Sequence, residues 1–274
     1  MQLFYKISSF LKKFLLIQFF LDHILIFINL KTKFAIPHEY SYFGLKFFEF
    51  RNDIKIIDIG ANIGVSTVFF LNVFKKSQIV AFEPNLKLKN NLQKIKFQFR
   101  NFKFYNTALG RKKESLFFYK PIYKNLENHY LSSFDIKNIK MKIIEDFGKK
   151  NLKKFKFLQK KISINKLDNF KLKADFIKID VEGFESKVIE GALKTIRDCT
   201  PVILIEINSE IIFFEIRKLL RKFNYKYFVY SCNGLERLNK KNLKKVGKMQ
   251  INIFCVAPKY LFVKKIRSFK YKAN

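Results

Sequence analysis

Residues 56–64 of this 274-residue chain read IIDIGANIG, an apolar run that ends in a turn with two glycines. Gly60 and Gly64 permit turn conformations that other residues avoid, and they let a ligand approach the main chain closely. A helical pattern follows from Val65. Open α/β sheets bind their ligands where a parallel strand ends in such a turn. The run therefore predicts a strand, a ligand-binding turn and a helix, in that order.

Short apolar runs and helical patterns alternate after this turn, which is typical of stacked βαβ units with a mainly parallel sheet. The predicted strands are residues 54–59, 78–82, 102–107, 175–179, 202–207, 226–230 and 251–257. The predicted helices are residues 65–75, 85–98, 185–196 and 211–223. A basic loop separates the last two strands, which predict an antiparallel hairpin at one edge of the sheet.

Two acidic residues near the turn indicate which cofactor it binds. A dinucleotide-binding fingerprint needs glycine at positions 60, 62 and 65, but the last two are Asn62 and Val65. Asp58 instead matches the acidic-x-Gly opening of a methyltransferase cofactor loop, where an anion favours a cationic sulfonium. Glu83 ends the second predicted strand and is placed to accept hydrogen bonds from both hydroxyls of a ribose. Together these residues predict S-adenosylmethionine as the cofactor.

A third motif, FIKIDVEG at residues 176–183, places Asp180 and Glu182 just past a buried strand, at the same predicted edge of the sheet. A carboxylate there can orient an acceptor hydroxyl or take its proton, so Asp180 is the first candidate general base, with Glu182 and His129 behind it. It can equally bind the methionine amino group or cap the next helix. Glu206, at the end of another predicted strand, points to the same edge, and both structural and functional roles stay open for it.

These motifs together resemble the FkbM family of methyltransferases. The resemblance rests on IIDIGANIG, IVAFEPN, NTALG, FIKIDVEGFESKVIEGA and PVILIEIN, and it covers roughly residues 37–210. It implies an α/β fold of the class I methyltransferase (Rossmann-like) type, with a mostly parallel seven-stranded sheet, helices on both faces and, here, an N-terminal helical segment. It also implies S-adenosylmethionine-dependent O-methylation of a hydroxyl on a sugar, a glycan or another small molecule, as in polysaccharide biosynthesis.

The same resemblance assigns roles to individual residues. It implies that seven residues contact the cofactor: Asp58, Gly60, Asn62, Gly64, Glu83, Asn106 and Ala108. Of these, Asn106 and Ala108 are expected beside the adenine ring. Asp180 and Glu182 are the catalytic candidates, and no metal is expected. Glu39 lies where many members carry a glutamate, and Ser132-Ser133 matches a serine pair of unknown role.

Residues 1–36 are predicted to form a separate helical segment. Residues 14–30 are almost wholly apolar, but Asp22 and His23 lie at the centre of the run. An aspartate in mid-bilayer costs about 2.5–3.5 kcal/mol, so a transmembrane span is the least favoured interpretation. Two others stay open. The segment is either an interfacial helix, with lysines on anionic head groups, or a helix packed on the catalytic domain.

The rest of the chain is predicted to form a methyltransferase domain, residues 37–260, and a basic tail, residues 261–274. Within the domain, residues 117–161 are polar, rich in lysine and asparagine, and interrupt the alternation of strands and helices. Long loops in compact domains are commonly lids or binding surfaces. This insertion is therefore the candidate for acceptor recognition, with a merely solvated insertion as the alternative.

The charge balance bears on partners. The chain has 55 Lys and Arg against 22 Asp and Glu, a net charge of +33, which favours anionic partners in general. Because the lysines are spread along the whole chain, a solvated surface is the first interpretation and a peripheral contact with an anionic membrane the second. Nucleic acid is not expected. Three cysteines without metal-ligand spacing predict reduced thiols and therefore a cytoplasmic location. A peripheral membrane contact would then be at the inner face of the membrane.

Two competing functions come from different classes. An RNA methyltransferase is motivated by the net charge, but the strand with Asp180 ends in DVEG, without the aromatic turn that stacks a base. A non-catalytic, membrane-associated scaffold with the same fold is the other, and the intact motifs disfavour it.

Overall fold

The computed structural model describes residues 15–32, 35–238 and 251–261. Its helices are α1 (Leu15–Thr32), α2 (Val65–Val73), α3 (Lys89–Gln98), α4 (Ile136–Phe147), α5 (Glu185–Glu190), α6 (Leu193–Cys199) and α7 (Glu210–Leu220). Its strands are β1 (Lys55–Ile59), β2 (Gln78–Phe82), β3 (Phe102–Tyr105), β4 (Ala108–Leu109), β5 (Glu114–Tyr123), β6 (Leu126–Glu127), β7 (Phe155–Asn165), β8 (Phe176–Ile179), β9 (Val202–Ile207), β10 (Lys226–Ser231), β11 (Gly234–Arg237) and β12 (Ile251–Val256). Short 3-10 helices lie at Tyr40–Phe47, Leu86–Leu88, Lys149–Lys154, Leu167–Phe170, Arg221–Phe223 and Pro258–Tyr260.

The larger sheet confirms the expected α/β fold. Its strand order is β11-β10-β12-β9-β8-β1-β2-β3. Strands β3, β2, β1, β8 and β9 are parallel, whereas β12 runs antiparallel to both β9 and β10, so the last two predicted strands pair antiparallel as expected. Because the parallel strands end at one edge, the turns that follow β1, β2, β8 and β9 lie together there.

The prediction of seven strands was wrong by one strand. The additional strand is β11, which pairs with β10 through Ser231↔Gly234 and continues to Phe228↔Arg237. The connection is Cys232-Asn233, and the dipeptide Asn233-Gly234 at its end is a signal for a tight hairpin turn. That dipeptide lies in the stretch interpreted as a basic loop, so the turn signal was available in the sequence.

The second sheet corrects the interpretation of residues 117–161 as an irregular insertion. Strands β5 and β7 pair antiparallel over ten positions, from Glu114↔Ile164 to Tyr123↔Phe155. Strands β4 and β6 form the two edges of this sheet, and α4 lies between β6 and β7 in the chain. A small core of Leu131, Ile139, Ile143 and Phe155 supports this unit. Lysines such as Lys156 and Lys160 occupy exposed positions of β7, so the polar composition reflects a solvated face of a sheet.

The helix predicted at residues 185–196 is divided into α5 and α6 by Gly191. A Cβ on Gly191 would lie 1.9 Å from the main-chain oxygen of Gly110, so only glycine permits the two backbones to approach so closely. Gly191 also accepts a hydrogen bond from the Asp168 N–H at 3.1 Å through its carbonyl oxygen. The helical pattern gave no sign of this break, because its cause lies elsewhere in the chain.

Helix α1 packs on the domain. The side-chain amide of Asn72 on α2 donates to the Asn29 carbonyl at 2.7 Å. The buried side chain of Asn29 pairs with the main chain of Ile36, at 3.0 Å in both directions. Leu25 and Ile26 pack against the cluster around Ile63. Among the described residues, no helix has the length and apolar character that crossing a bilayer requires. Residues 1–14 and 262–274, and with them nearly all of the predicted basic tail, lie outside the described residues.

Candidate active site

A cavity of about 700 Å³ lies at the edge of the larger sheet where the parallel strands end. Gly60, Glu83, Asp180 and Glu206, which follow or end β1, β2, β8 and β9, contribute to its floor. The remaining walls come from α1, the segment at residues 128–134 and α4. This volume is in the range of small-molecule and cofactor sites.

The turn after β1 requires glycine at position 60. Gly60 has a φ of +78°, and a Cβ there would lie 1.8 Å from the main-chain oxygen of Asp180. The N–H groups of Gly60 and Ala61 donate to the Phe82 carbonyl at 2.9 and 3.2 Å. The turn is therefore fixed between the ends of β2 and β8. Asn62, also left-handed, lines the cavity, and its buried side-chain oxygen has no hydrogen-bond partner.

Glu83 connects two loops of the cavity floor. One carboxylate oxygen accepts the Asn62 N–H at 2.9 Å, and the other accepts the Asn85 N–H at 2.8 Å. Burial raises the pKa of Glu83, although both hydrogen bonds oppose the change. A carboxylate oxygen has two acceptor sites, so each oxygen keeps one for a ligand in the cavity.

Asp58 lies behind the turn and is not among the residues that line the cavity. Its carboxylate is fully buried, and one oxygen accepts hydrogen bonds from the hydroxyls of Ser66 and Thr67, both at 2.7 Å. The other oxygen lies 3.4 Å from the ammonium of Lys178. Asp58 thus ties the first turn of α2 to β1.

Lys178 is a site residue that the sequence analysis did not identify. Its buried ammonium donates to the Gly60 carbonyl at 3.0 Å and lies 3.3 Å from the Asp180 carboxylate. Burial alone lowers the pKa of Lys178, but Asp180 and Asp58 raise it above its ordinary value. Lys178 therefore stays charged and joins the turn to the acidic end of β8. The signal was a lysine within the otherwise apolar run FIKI.

Three carboxylates meet at the ends of β8 and β9. Oxygens of Asp180, Glu182 and Glu206 lie within 4.8 Å of one another. Burial favours a higher pKa for Asp180, but Lys178 and a hydrogen bond with Glu206 lower that pKa to about 2. Burial and the charge of Asp180 raise the pKa of Glu206 well above its ordinary value. Asp180 is therefore the more acidic carboxyl of this pair, and Glu206 the one that more readily holds a proton.

Glu182 is held by the unit that contains α4. Its φ is +55°, and its carbonyl accepts hydrogen bonds from the Ser133 hydroxyl at 2.6 Å and the Asn138 amide at 3.2 Å. Its carboxylate pairs with Lys142. Burial raises the pKa of Glu182, with Lys142 opposing and Asp180 adding to the change. Ser133, one of the serine pair, thereby links the second sheet to the end of β8.

A second set of contacts joins the second sheet to the loop after β2. The buried ammonium of Lys120 on β5 donates to the Asn85 side-chain oxygen at 3.0 Å and lies 3.0 Å from Glu127. The Asn85 amide lies 3.2 Å from His129 Nδ1, and His129 lines the cavity. The adjacent Tyr130 hydroxyl bonds to Asp22 of α1. The second sheet and α1 thus meet over the cavity.

The structure separates the predicted site residues into two groups. Those that line the cavity are Gly60, Asn62, Glu83, Ala108, Asp180 and Glu182, together with Glu39, His129 and Glu206. Asp58, Gly64 and Asn106 do not line it. Gly64, with a φ of +96°, packs against Ile95, where a Cβ would lie 2.2 Å from the side chain. The Asn106 amide donates to the Glu83 carbonyl at 3.3 Å.

The charge of the cavity is opposite to that of the chain. Among the described residues that line it, eight are acidic and two are lysines, whereas the whole chain has 22 acidic and 55 basic residues. The acidic set is Asp22, Glu39, Glu83, Glu145, Asp146, Asp180, Glu182 and Glu206. Such a lining favours a ligand that carries positive charge.

Comparisons with solved structures show the fold. The chain is similar to methyltransferase FkbM from Methylobacillus flagellatus KT, with a TM-score of 0.52 and 15% identity over 80% of this chain and 48% of that one. It thus spans about half the length of that protein. Weaker likenesses are to precorrin-6Y C5,15-methyltransferase from Geobacter metallireducens (TM-score 0.41, 13% identity, 79% and 86% of the two chains) and to Aeropyrum pernix fibrillarin (TM-score 0.40, 11% identity, 76% and 69%).

The family comparison covers more than half of the chain. No curated protein matches it. The model of the methyltransferase FkbM domain, however, matches residues 58–227, from the carboxylate behind the glycine turn to the beginning of β10. That span contains the turn, Glu83, both predicted catalytic carboxylates and the second sheet. The chain therefore belongs to the FkbM methyltransferase domain family.

Proposed function

We propose that this S-adenosylmethionine-dependent methyltransferase transfers its methyl group to a hydroxyl of a sugar, a glycan or another small molecule. The observation that carries the proposal is the acidic cavity in a basic chain. Carboxylates attract the sulfonium and ammonium groups of the donor and repel phosphates. A neutral, polyhydroxylated acceptor suits such a site better than RNA does.

The residues of the cavity floor fit the donor. The unpaired side-chain oxygen of Asn62 offers a hydrogen-bond acceptor beside a turn that Gly60 keeps free of side-chain atoms. We assign Glu83 to the ribose hydroxyls and Ala108 to the adenine ring. Asp58, Gly64 and Asn106 were predicted to touch the cofactor, and from their positions we propose that they act as positioning residues instead.

S-adenosylmethionine supplies an already activated methyl group, so the protein contributes chiefly alignment and exclusion of water. We propose that Asp180, whose side chain is 32% exposed, accepts the hydrogen bond of the acceptor hydroxyl and takes its proton as the new C–O bond forms, when that proton becomes acidic enough for a carboxylate of low pKa. Lys178 and Glu206 hold that carboxylate in place. Glu182, fixed by Lys142 and Ser133, orients the acceptor beside Asp180.

Calorimetry with S-adenosylmethionine tests the donor assignment. We expect Glu83→Ala to weaken binding by at least about tenfold, the equivalent of one charge-assisted hydrogen bond. Asp198→Asn changes an exposed carboxylate of a surface ion pair and is the control. Unchanged affinity in Glu83→Ala contradicts the assignment of Glu83.

Methyl transfer tests the acceptor and the base. Incubation with labelled S-adenosylmethionine and a panel of mono- and oligosaccharides should label an O-methylated sugar. We expect Asp180→Asn to lower kcat by about 10²–10⁴, as for loss of a general base. If affinity for S-adenosylmethionine falls instead, Asp180 binds the methionine amino group. Salt-sensitive labelling of RNA, with no labelled sugar, would refute the proposed acceptor class.

A further inference from the structure

Helix α1 presents an apolar stripe to solvent. Leu21, Ile24 and Phe27 are three residues apart, and their exposed fractions are 38%, 38% and 61%. Lys31, also exposed, follows one turn after Phe27. The other side of α1 packs on the domain through Asn29. The helix therefore has a buried face and an exposed apolar face, which differs from the polar outer face of an ordinary surface helix.

Helix α4 presents a similar stripe. Met141 is 57% exposed and Ile144 is 36% exposed. Lys137 lies one turn before Met141, and Lys140 adjoins it; both lysines are exposed. Leu21, Ile24 and Met141 line the cavity as well, so the two stripes border the same opening. We call Leu21, Ile24, Phe27, Met141 and Ile144 the rim surface.

The charges around the rim surface favour one kind of partner. Exposed Lys31, Lys137 and Lys140 flank its apolar side chains, a composition that suits the interface of an anionic bilayer. Glu145 and Asp146, which follow Ile144 and are also exposed, line the cavity. A second copy of the chain suits the surface less well, because each copy carries a net charge of +33 and like charges repel.

From this geometry we propose that the rim surface rests on an anionic phospholipid bilayer, with the mouth of the cavity facing the lipid head groups. Apolar side chains then enter the boundary between head groups and acyl chains, and the flanking lysines contact anionic head groups. An acceptor displayed at a membrane surface has direct access to the cavity. The proposal goes beyond the proposed methyl transfer and does not depend on it, since the test below measures binding alone.

Vesicle co-sedimentation of the full chain tests the proposal. We expect binding to vesicles of phosphatidylcholine with phosphatidylglycerol, weak binding to pure phosphatidylcholine, and release at high salt. The double variant Phe27→Glu, Ile144→Glu should lower the partition coefficient by at least about tenfold, because two apolar contacts are lost. The matched control is Phe97→Glu, Ile211→Glu, which makes the same charge change at sites 92% and 72% exposed that do not line the cavity.

Three results would overturn the proposal. The first is an equal loss of vesicle binding in the two double variants, and the second is equal binding of the wild type to neutral and anionic vesicles. The third is a wild-type dimer in light scattering that dissociates in the variant Phe27→Glu, Ile144→Glu and not in the control. Calorimetry with S-adenosylmethionine shows whether each variant keeps its cavity. A tryptophan reporter removes the dependence on charged variants, because the chain has no tryptophan. Emission of Phe27→Trp should shift to the blue on anionic vesicles, whereas emission of Phe97→Trp should not; the same emission in both also contradicts the proposal.

Discussion

Gly60→Ala tests the packing of the glycine turn against the end of β8. The added Cβ would lie 1.8 Å from the main-chain oxygen of Asp180, and the residue has a φ of +78°. The left-handed conformation alone costs an L-residue about 1–2 kcal/mol. The clash adds to this, because a main-chain atom cannot turn away as a side chain can. The turn or the end of β8 must therefore move.

This movement has a consequence for ligand binding. Asn62 and Glu83 are joined by the hydrogen bond that fixes the turn, so a displaced turn misplaces both. We expect the dissociation constant for S-adenosylmethionine to rise by about 10–100-fold, since displacements near 1 Å at a site have effects of that order. The free energy of unfolding should fall by more than the conformational cost alone.

Two other glycines provide matched controls. Gly148 has a φ of +81° and a ψ of 150° with open space around it, so Gly148→Ala measures the cost of a positive φ without a clash. Gly191 has a φ of −79°, and its Cβ would lie 1.9 Å from the Gly110 oxygen, so Gly191→Ala isolates a main-chain clash between two residues that do not themselves line the cavity. Urea denaturation gives the stability of each variant, and calorimetry gives its affinity for S-adenosylmethionine.

We expect both controls to lose stability but to keep wild-type affinity for S-adenosylmethionine in the fraction that remains folded. The assignment of the binding loss to the glycine turn is refuted if Gly60→Ala binds S-adenosylmethionine as tightly as the wild type. It is also refuted if Gly191→Ala, folded to the same extent, loses as much affinity.

Three further predictions follow from buried polar groups. Lys178→Met leaves Asp58 and Asp180 without their shared cation, so urea denaturation should show a loss of about 3–5 kcal/mol, and the pKa of Asp180 should rise. Asn62→Gly keeps the left-handed turn but removes the unpaired amide, so affinity for S-adenosylmethionine by calorimetry should fall about fivefold with little change in stability. Burial raises the pKa of Glu185 from 4.5 to about 7, so the folded chain keeps a proton that the unfolded chain releases between these values, and stability falls as the pH rises through this window. In denaturation experiments the free energy of unfolding of Glu185→Gln should equal that of the wild type below about pH 4. Above about pH 8 it should be larger by up to about 3 kcal/mol, at about 1.4 kcal/mol per pKa unit. A difference that does not change with pH contradicts the assignment to Glu185.

The parallel part of the fold was predictable because its strands are buried on both faces. Such strands are continuous apolar runs, and residues 78–82 and 202–207 have the predicted bounds. Glu83 and Asp180 could be located because a carboxylate at the end of such a run is conspicuous. Their meeting at one edge follows from the parallel arrangement.

The remaining features depend on contacts that no local pattern contains. Lys178 lies within an apolar strand, and its partners are Asp58 and Gly60, more than 100 residues earlier. The break at Gly191 depends on Gly110. The long pairing of β5 with β7 was hidden because lysines occupy exposed positions of β7, so its polar composition indicated a loop.

The hydrogen bond between Asp22 and Tyr130 has a consequence for synthesis of the chain. The two residues are 108 positions apart, so α1 leaves the ribosome well before the wall that it meets over the cavity. At about 5–20 residues per second, the delay is on the order of ten seconds. During that interval the apolar side chains of α1 face solvent, a chaperone or a lipid surface. An added holding chaperone should therefore raise the soluble yield of the full chain.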